Sequence, residues 1–480
     1  MDTRRNFIGA AAMAGAVSLL PPGVRAQAAG EKVTFKAMSG ATAEGEWGSL
    51  SVPENRRDPK SRRITLRYIK FKATTAKPGY PLVYLAGGPG GSGVGTARGP
   101  RFPIFMALRE VGDVIVFDQR GTGASNELPA ALAPLEWDHR LTRQGVSDYY
   151  VREFNRNWAA WKAAGVSAEG YNTIESAHDL DDLRKSLGAE KLNLWGISYG
   201  SHLGQAALKY HEGKIERIAL ASLEGLDQTV KRPGRLDGYM AQVDALVKAD
   251  PAAAKAYPDL LGMMRRVHER LEANPAPFTG PFGPGRAPMT FALGGFIVQM
   301  IAGGLIKNPS SLAQLPKIYA STDAGNYAFV AQQAAGQLGQ GSPVNGMGDI
   351  MDLASGISPA KLAMVQREAK TAVFGDSLNF PMPHLSGAVP GVDLGEAFRR
   401  PISTRIPALL ISGTLDGRTP IAEQAEVAAQ FQRKTWIKVE NAGHDVLETS
   451  PEIARRLVAF FKGEAVDPSP IKLSPMKFAV

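Results

Sequence analysis

The chain reads as an α/β protein with a mostly parallel central sheet, flanking helices and a large helical segment inserted late in the sheet. Three observations predict this. Short apolar runs recur at 81–86, 113–118, 191–197 and 215–221 with helical segments between them, the pattern of βαβ units. The pattern resumes with "IPALLISG" (406–413) and "TWIKVE" (435–440), followed by a helix over 450–462. Between about 226 and 400 the strand signal vanishes, and helical stretches such as "LDGYMAQVDALVKA" replace it. The expected organisation is a removable segment at 1–28, a first core part at 29–225, a helical lid at 226–400 and a second core part at 401–480.

Each part follows from its residues. "TRRNFI" (3–8) is a twin-arginine pattern, the uncharged "GAAAMAGAVSLL" follows it, and Ala26, Gln27 and Ala28 form an A-x-A cleavage site. The expectation is transport by the twin-arginine export machinery to the periplasm or beyond. The uncharged stretch is too short to remain as a stable membrane span. In 31–77, alternating runs such as "RITLRYIKFKA" predict strands with one solvated face. In the inserted part, "NPAPFTGPFGPGRAP" (274–288) is a Pro/Gly loop. "PMTFALGGFIVQMIAGGLI" (288–306) is uncharged, but its glycines and Gln299 favour a buried lid helix over a membrane span.

Composition excludes several chemistries. With no cysteine among 480 residues, there can be no disulfide, thiolate metal site or cysteine nucleophile. Formal net charge is +9; residues 1–28 carry Arg4, Arg5, Arg25 and Asp2, so their loss leaves about +7. The densest basic cluster, "RRDPKSRR" (56–63), lacks the aromatic-interleaved stripe of a nucleic-acid footprint, so no nucleic-acid partner is expected.

Residues 82–93, "LVYLAGGPGGSG", pose a choice. Gly88, Gly90 and Gly93 fit G-x-G-x-x-G, and Asp118 stands where a ribose-binding acid would be. The same loop can instead offer a backbone N–H to a developing oxyanion. The stretch "LNLWGISYG" (192–200) decides it. Gly196-Ile197-Ser198-Tyr199-Gly200 is G-x-S-x-G between an apolar strand and a helix-forming run, the context of a nucleophile elbow. Among seven histidines, His444 follows the strand "TWIKVE", and Asp416 follows the preceding core strand. Ser198, Asp416, His444 is the nucleophile–acid–base order of α/β-hydrolases, each at a strand's C-terminal end. His202 lies one turn along the helix from Ser198 and reads as packing. His178, His211, His268 and His384 lie in helical or lid contexts, and Asp445, next to His444, points elsewhere. One oxyanion donor is then the N–H of Tyr199, the residue after the nucleophile, and the other comes from the loop "AGGPGGSG". No cofactor is required.

"GGPGGSG", "FDQRGTGAS", "YNTIESAHDLDDLRKSLG", "LNLWGISYG", "SGTLDGRTP" and "AGHD", in that order, resemble the prolyl aminopeptidase and tripeptidyl aminopeptidase branch of the α/β-hydrolases. The resemblance covers about 45–225 and 400–462. It implies a serine peptidase or related hydrolase with the triad above, Gly88 and Tyr199 as oxyanion donors, and lid carboxylates that hold the free amino group of a short peptide; Glu224 and Asp227 are the candidates. Prolyl aminopeptidases usually carry His before "GGPG" and Trp after the nucleophile; this chain has Ala86 and Tyr199, the latter as in the tripeptidyl-type relatives. The expected function is an exported aminopeptidase. The alternatives are a carboxylesterase or amidase for a small apolar substrate and, more distantly, a non-catalytic binding protein.

Overall fold

The computed structural model describes residues 30–126, 128–129, 132–133, 135–281, 288–338 and 344–480. The export segment at 1–28 lies outside them.

Ten strands form one sheet. Strands β1 (Lys32–Lys36), β2 (Thr42–Pro53) and β3 (Arg63–Phe71) run as an antiparallel meander, and β3 pairs antiparallel with β5 (Val114–Asp118). From there the sheet is parallel: β5, β4 (Leu82–Leu85), β6 (Leu192–Ile197), β7 (Ile215–Ala221), then β10 (Ala408–Gly413), β11 (Lys434–Glu440) and the two-residue β12 (Ile471–Lys472). Strands β4, β5, β6 and β10 are buried along their whole length. Both of their faces are covered, so they read as unbroken apolar runs and not as alternations.

One face packs on helices Thr173–Ser186 and Tyr199–His211 through Leu180, Leu203 and Ala206. The other packs on Phe102–Leu108 and Pro451–Lys462 through Phe105, Leu457 and Phe460. The chain passes from β4 to β5 on one side and then to β6 on the other. The crevice at the carboxyl ends of β4 and β6 is therefore a topological switch point, where open α/β sheets bind ligands.

The segment between β7 and β10 has a hydrophobic core of its own, built from Met240, Met264, Phe296, Ile301 and Tyr319, with Leu141 and Val146 joining it from before the insertion. It is not wholly helical. A β-hairpin of β8 (Ala276–Pro281) and β9 (Pro288–Leu293) occupies the stretch expected to be loop. The uncharged run 288–306 divides at Gly294 into β9 and an 11-residue helix, Gly295–Leu305. The cause is alternation in "TFAL": Phe291 and Leu293 face the core, while Thr290 pairs across the hairpin with Thr279. Among the described residues, no helix is long and apolar enough to cross a membrane.

Candidate active site

Ser198 stands between the end of β6 and the start of helix Tyr199–His211, at φ 58° and ψ −128°. A non-glycine residue at positive φ stores strain on the order of 1–3 kcal/mol and persists where its surroundings over-determine it. Here they do. The Ser198 N–H donates to Ala221 O at 3.0 Å, tying the turn to β7. A Cβ on Gly196 would lie 2.7 Å from Leu85 O, and one on Gly200 would overlap the same carbonyl. The two glycines of G-x-S-x-G are thus what lets the elbow pass over the end of β4. Tyr199 is the first helical residue, so its N–H has no partner within the helix.

The glycine-rich loop lies against the elbow. A Cβ on Gly87 would sit 3.3 Å from Ser198 Cβ and 3.0 Å from Ile197 O. Gly88 has φ +127°, and a Cβ there would meet the amide nitrogens of Gly90 and Gly91 at 2.8 and 2.9 Å. Asp118, the acid a dinucleotide reading would give to a ribose, is occupied within the protein. It accepts from Ser92 Oγ at 2.7 Å, Val94 N at 3.0 Å and Ala124 N at 2.7 Å, so it buckles the loop after β4 to the loop after β5.

Asp416 and His444 follow β10 and β11 and meet. His444 Nδ1 lies 3.1 and 3.0 Å from the two Asp416 carboxylate oxygens. Asp416 also accepts from Arg418 N (2.9 Å), Thr419 N (2.8 Å) and Thr419 Oγ1 (2.7 Å). Burial pushes this carboxyl up, but the His444 interaction and the Thr419 donors outweigh it and hold the pKa below its ordinary value. The His444 loop is tethered to the elbow's neighbour strand by Ser222 Oγ, which donates to His444 O at 2.6 Å. With Nδ1 turned to Asp416, Nε2 is left for a substrate-side proton. Among the described residues, neither Nε2 nor Ser198 Oγ makes a hydrogen bond; such contacts commonly tighten only with substrate bound.

Five of the six other histidines are hydrogen-bonded elsewhere. His202 is buried between Gly225 O (3.0 Å) and Ser355 Oγ (3.3 Å). His178 and His211 pair with each other at 2.9 Å, and His268 bonds Tyr319 inside the inserted core at 2.6 Å. His384 bonds Ser147 Oγ at 2.8 Å.

The two candidate amine-binding acids fare differently. Glu224 is buried below the insertion but already paired with Lys231 Nζ at 2.6 Å. Burial would raise its carboxyl; the Lys231 charge more than offsets this and lowers it. Asp227 accepts from Ser358 N (3.1 Å) and Oγ (2.8 Å), fixing the residue that caps helix Pro359–Glu368. The residue that sequence reasoning missed is Asp352, on helix Gly346–Ser355. Among the described residues its half-buried side chain makes no hydrogen bond or ion pair; desolvation and the nearby Glu224 charge push its carboxyl up to about 8, against the opposing charges of Lys231 and Arg418. The available signal was an acid in the apolar run "IMDLA" (350–354) of an inserted helix.

The family model described as alpha/beta hydrolase fold matches residues 80–451. Serine protease Hip1 of Mycobacterium tuberculosis is 32% identical over 188 residues, which are 37% of this chain and 35% of that protein. Tripeptidyl aminopeptidase of Streptomyces lividans is 27% identical over 233 residues, 41% of each. The matched region thus spans well under half the length of these curated relatives. Among solved structures, proline iminopeptidase of Mycobacterium smegmatis is 14% identical at a TM-score of 0.43, over 87% of this chain and 98% of that one. The family-model match covers strands β4, β5, β6, β7, β10 and β11, the elbow after β6 and the loops after β10 and β11; the chain belongs to the α/β hydrolase family.

Proposed function

We propose that this protein is a serine hydrolase that releases residues from the free amino end of short peptides through an acyl-enzyme on Ser198. The observation that carries the reading is Ser198, held at a strained elbow against the glycine loop, on the same carboxyl edge of the parallel sheet as the hydrogen-bonded Asp416–His444 pair. In this mechanism Ser198 Oγ bonds to the acyl carbon while its proton passes to His444 Nε2. The N–H groups of Gly88 and Tyr199 receive the oxyanion. Collapse breaks the bond to the leaving amine, which takes the proton from His444. A water molecule then repeats the sequence, freeing the acid and restoring Ser198. Asp416 keeps the imidazole in the tautomer with its proton on Nδ1 and stabilises the imidazolium. The names of the two relatives support peptide bonds as the target.

Asp352 gives this reading its selectivity, because a carboxylate that is in no direct ion pair can take an ammonium group. The test presents one acyl group as a free-amine amide, an N-blocked amide and a simple ester. Asp352→Asn is expected to lower kcat/KM by about 10-fold or more for the free-amine substrate, the loss of a desolvated charge partner, and to leave the blocked ones near wild type. Equal rates on all three in the wild type would select the esterase or amidase alternative. The pH dependence has a defined sign. Below about 8 the free Asp352 holds a proton that the substrate must displace, so kcat/KM for the free amine rises toward that pH and the Asn variant loses this limb. Folded Asp352 also binds its proton more tightly than at the ordinary value of 3.8, so its contribution to stability falls as pH rises from about 4 to about 8. Asp352→Asn therefore melts above wild type at pH 8, and the gap closes by pH 4.

The mature protein is proposed to act in the periplasm or outside the cell, with the twin-arginine export machinery as its transport partner, on the strength of "TRRNFI" and the site at Ala26–Ala28. Replacing Arg4 and Arg5 by Lys should trap the protein in the cytoplasm, as read by fractionation; unchanged export would overturn this placement.

A further inference from the structure

We propose that Asn308, in the inserted segment, is a positioning residue for His444 that acts through Asp445. The proposal rests on the reading of His444 as the general base. Residues 306–308 leave helix Gly295–Leu305 and lie as a strap across both loops that carry the acid and the base. Ile306 O accepts from Gly417 N at 3.2 Å, beside Asp416, and Lys307 O accepts from His444 N at 2.8 Å. Asn308 then grips the next residue twice: its Oδ1 accepts from Asp445 N at 3.1 Å and its Nδ2 donates to Asp445 Oδ2 at 2.7 Å. Two successive amides of the base loop, those of His444 and Asp445, are thereby fixed by the insertion and not by the sheet.

The fit leaves no room for slippage. A Cβ on Gly443 would lie 2.5 Å from Lys307 O and 2.6 Å from Asn308 Cα, and one on Gly417 would lie 2.5 Å from Ile306 O. From the opposite side Asp445 is held by Arg101 Nη2 at 3.1 Å; Arg101 is itself buried, donates to Tyr84 OH at 2.7 Å and forms an ion pair with Glu448 at 2.9 Å. Lys307 Nζ adds a third contact to Asp445 at 3.1 Å. Asp445 is therefore the post between a core cation and a strap from the insertion. Its partner at 308 must accept from a backbone N–H and donate to a carboxylate in one planar group, which an amide side chain does and a carboxylate does not. A displacement of about 1 Å in a group that acts on the reacting atoms is enough to cost on the order of 10²-fold in rate.

The test compares steady-state kinetics of wild type, Asn308→Ala, Asn308→Asp, the exchanged pair Asn308→Asp with Asp445→Asn, and His444→Ala. Active sites are counted by fluorophosphonate labelling, and folding is checked by circular dichroism and melting. Asn308→Ala is expected to lower kcat by 10- to 100-fold with KM little changed. Asn308→Asp sets two carboxylates against each other and should be at least as slow. The exchanged pair restores one amide and one carboxylate in reversed places, so it should regain about tenfold over Asn308→Asp, which a merely structural loss would not do. Wild-type kcat in a folded Asn308→Ala, beside an inactive His444→Ala, overturns the role of Asn308 alone. Failure of the exchanged pair to recover overturns it as well. Wild-type turnover in His444→Ala overturns the reading of His444 as base, and the role of Asn308 with it.

Discussion

Ser198→Ala is expected to fold as wild type does and to lose on the order of 10⁶ in kcat, the loss seen when the nucleophile of a serine triad is removed. The magnitude follows from what remains. The glycine loop and the Tyr199 N–H would still polarise a bound carbonyl, but no covalent acyl-enzyme could form, and water would have to attack without the aligned hydroxyl. The fold should not suffer. Only an oxygen is removed, and Ser198 Oγ makes no hydrogen bond among the described residues. The strained backbone at φ 58° is no better suited to alanine than to serine, so the strain stays as it was. The measurement is single-turnover kinetics together with fluorophosphonate labelling and peptide mapping. Label on Ser92 or Ser201 would sink the assignment. Both hydroxyls have fixed tasks already: Ser92 Oγ donates to Asp118 and accepts from Gly95 N, and Ser201 Oγ donates to Ser198 O.

Much of this arrangement was legible in the sequence because burial leaves a direct trace. Strands β4, β5, β6 and β10 coincide with apolar runs read from the chain, since strands covered on both faces need no polar alternation, and β7 and β11, partly exposed, also fall where the sequence reads as strand. The elbow was legible because the glycines at 196 and 200 are required by the close approach of Leu85. What stayed hidden depends on which groups the fold brings together. Glu224 and Asp352 are both acids, and nothing in the local sequence says that Lys231 will ion-pair with the first while the second, among the described residues, is in no direct ion pair. Asp227 looked available until Ser358, far along the chain, came to rest on it. The strap at 306–308 lay at the end of what reads as one continuous buried helix from 288. Its role arises from contacts with loops more than 100 residues away, which no periodicity reports. The hairpin of β8 and β9 was masked by its prolines and glycines, which signal a turn more loudly than the short alternation "TFAL" signals a strand.

Asp416→Asn should keep the fold and lose about 10⁴ in kcat, with KM much less affected. The reason is the tautomer. In the proposed mechanism the ionised carboxylate accepts from His444 Nδ1–H, which leaves Nε2 unprotonated to take the Ser198 proton. An asparagine at 416 can turn its NH₂ toward Nδ1. The imidazole then accepts there and carries its proton on Nε2, where it cannot act as a base. The surrounding donors set a limit on that rotation, because Thr419 N, Thr419 Oγ1 and Arg418 N all point at the Asp416 oxygens, and Gln424 Nε2 approaches at 3.3 Å. Asparagine offers one oxygen where the carboxylate offers two, so some of these donors lose their acceptor. The effect on stability also has a sign. Asp416 is held below the ordinary carboxylate value, so the stability it contributes is present above about pH 4 and is lost as pH falls through its folded pKa. The melting temperature of Asp416→Asn should therefore lie below wild type at pH 7, and the difference should shrink toward pH 3. Kinetics and melting on the same preparations check both effects. A folded Asp416→Asn that turns over at near the wild-type rate would move the acid's role to another carboxylate, and with it the whole pairing of β10 with β11 as the catalytic edge.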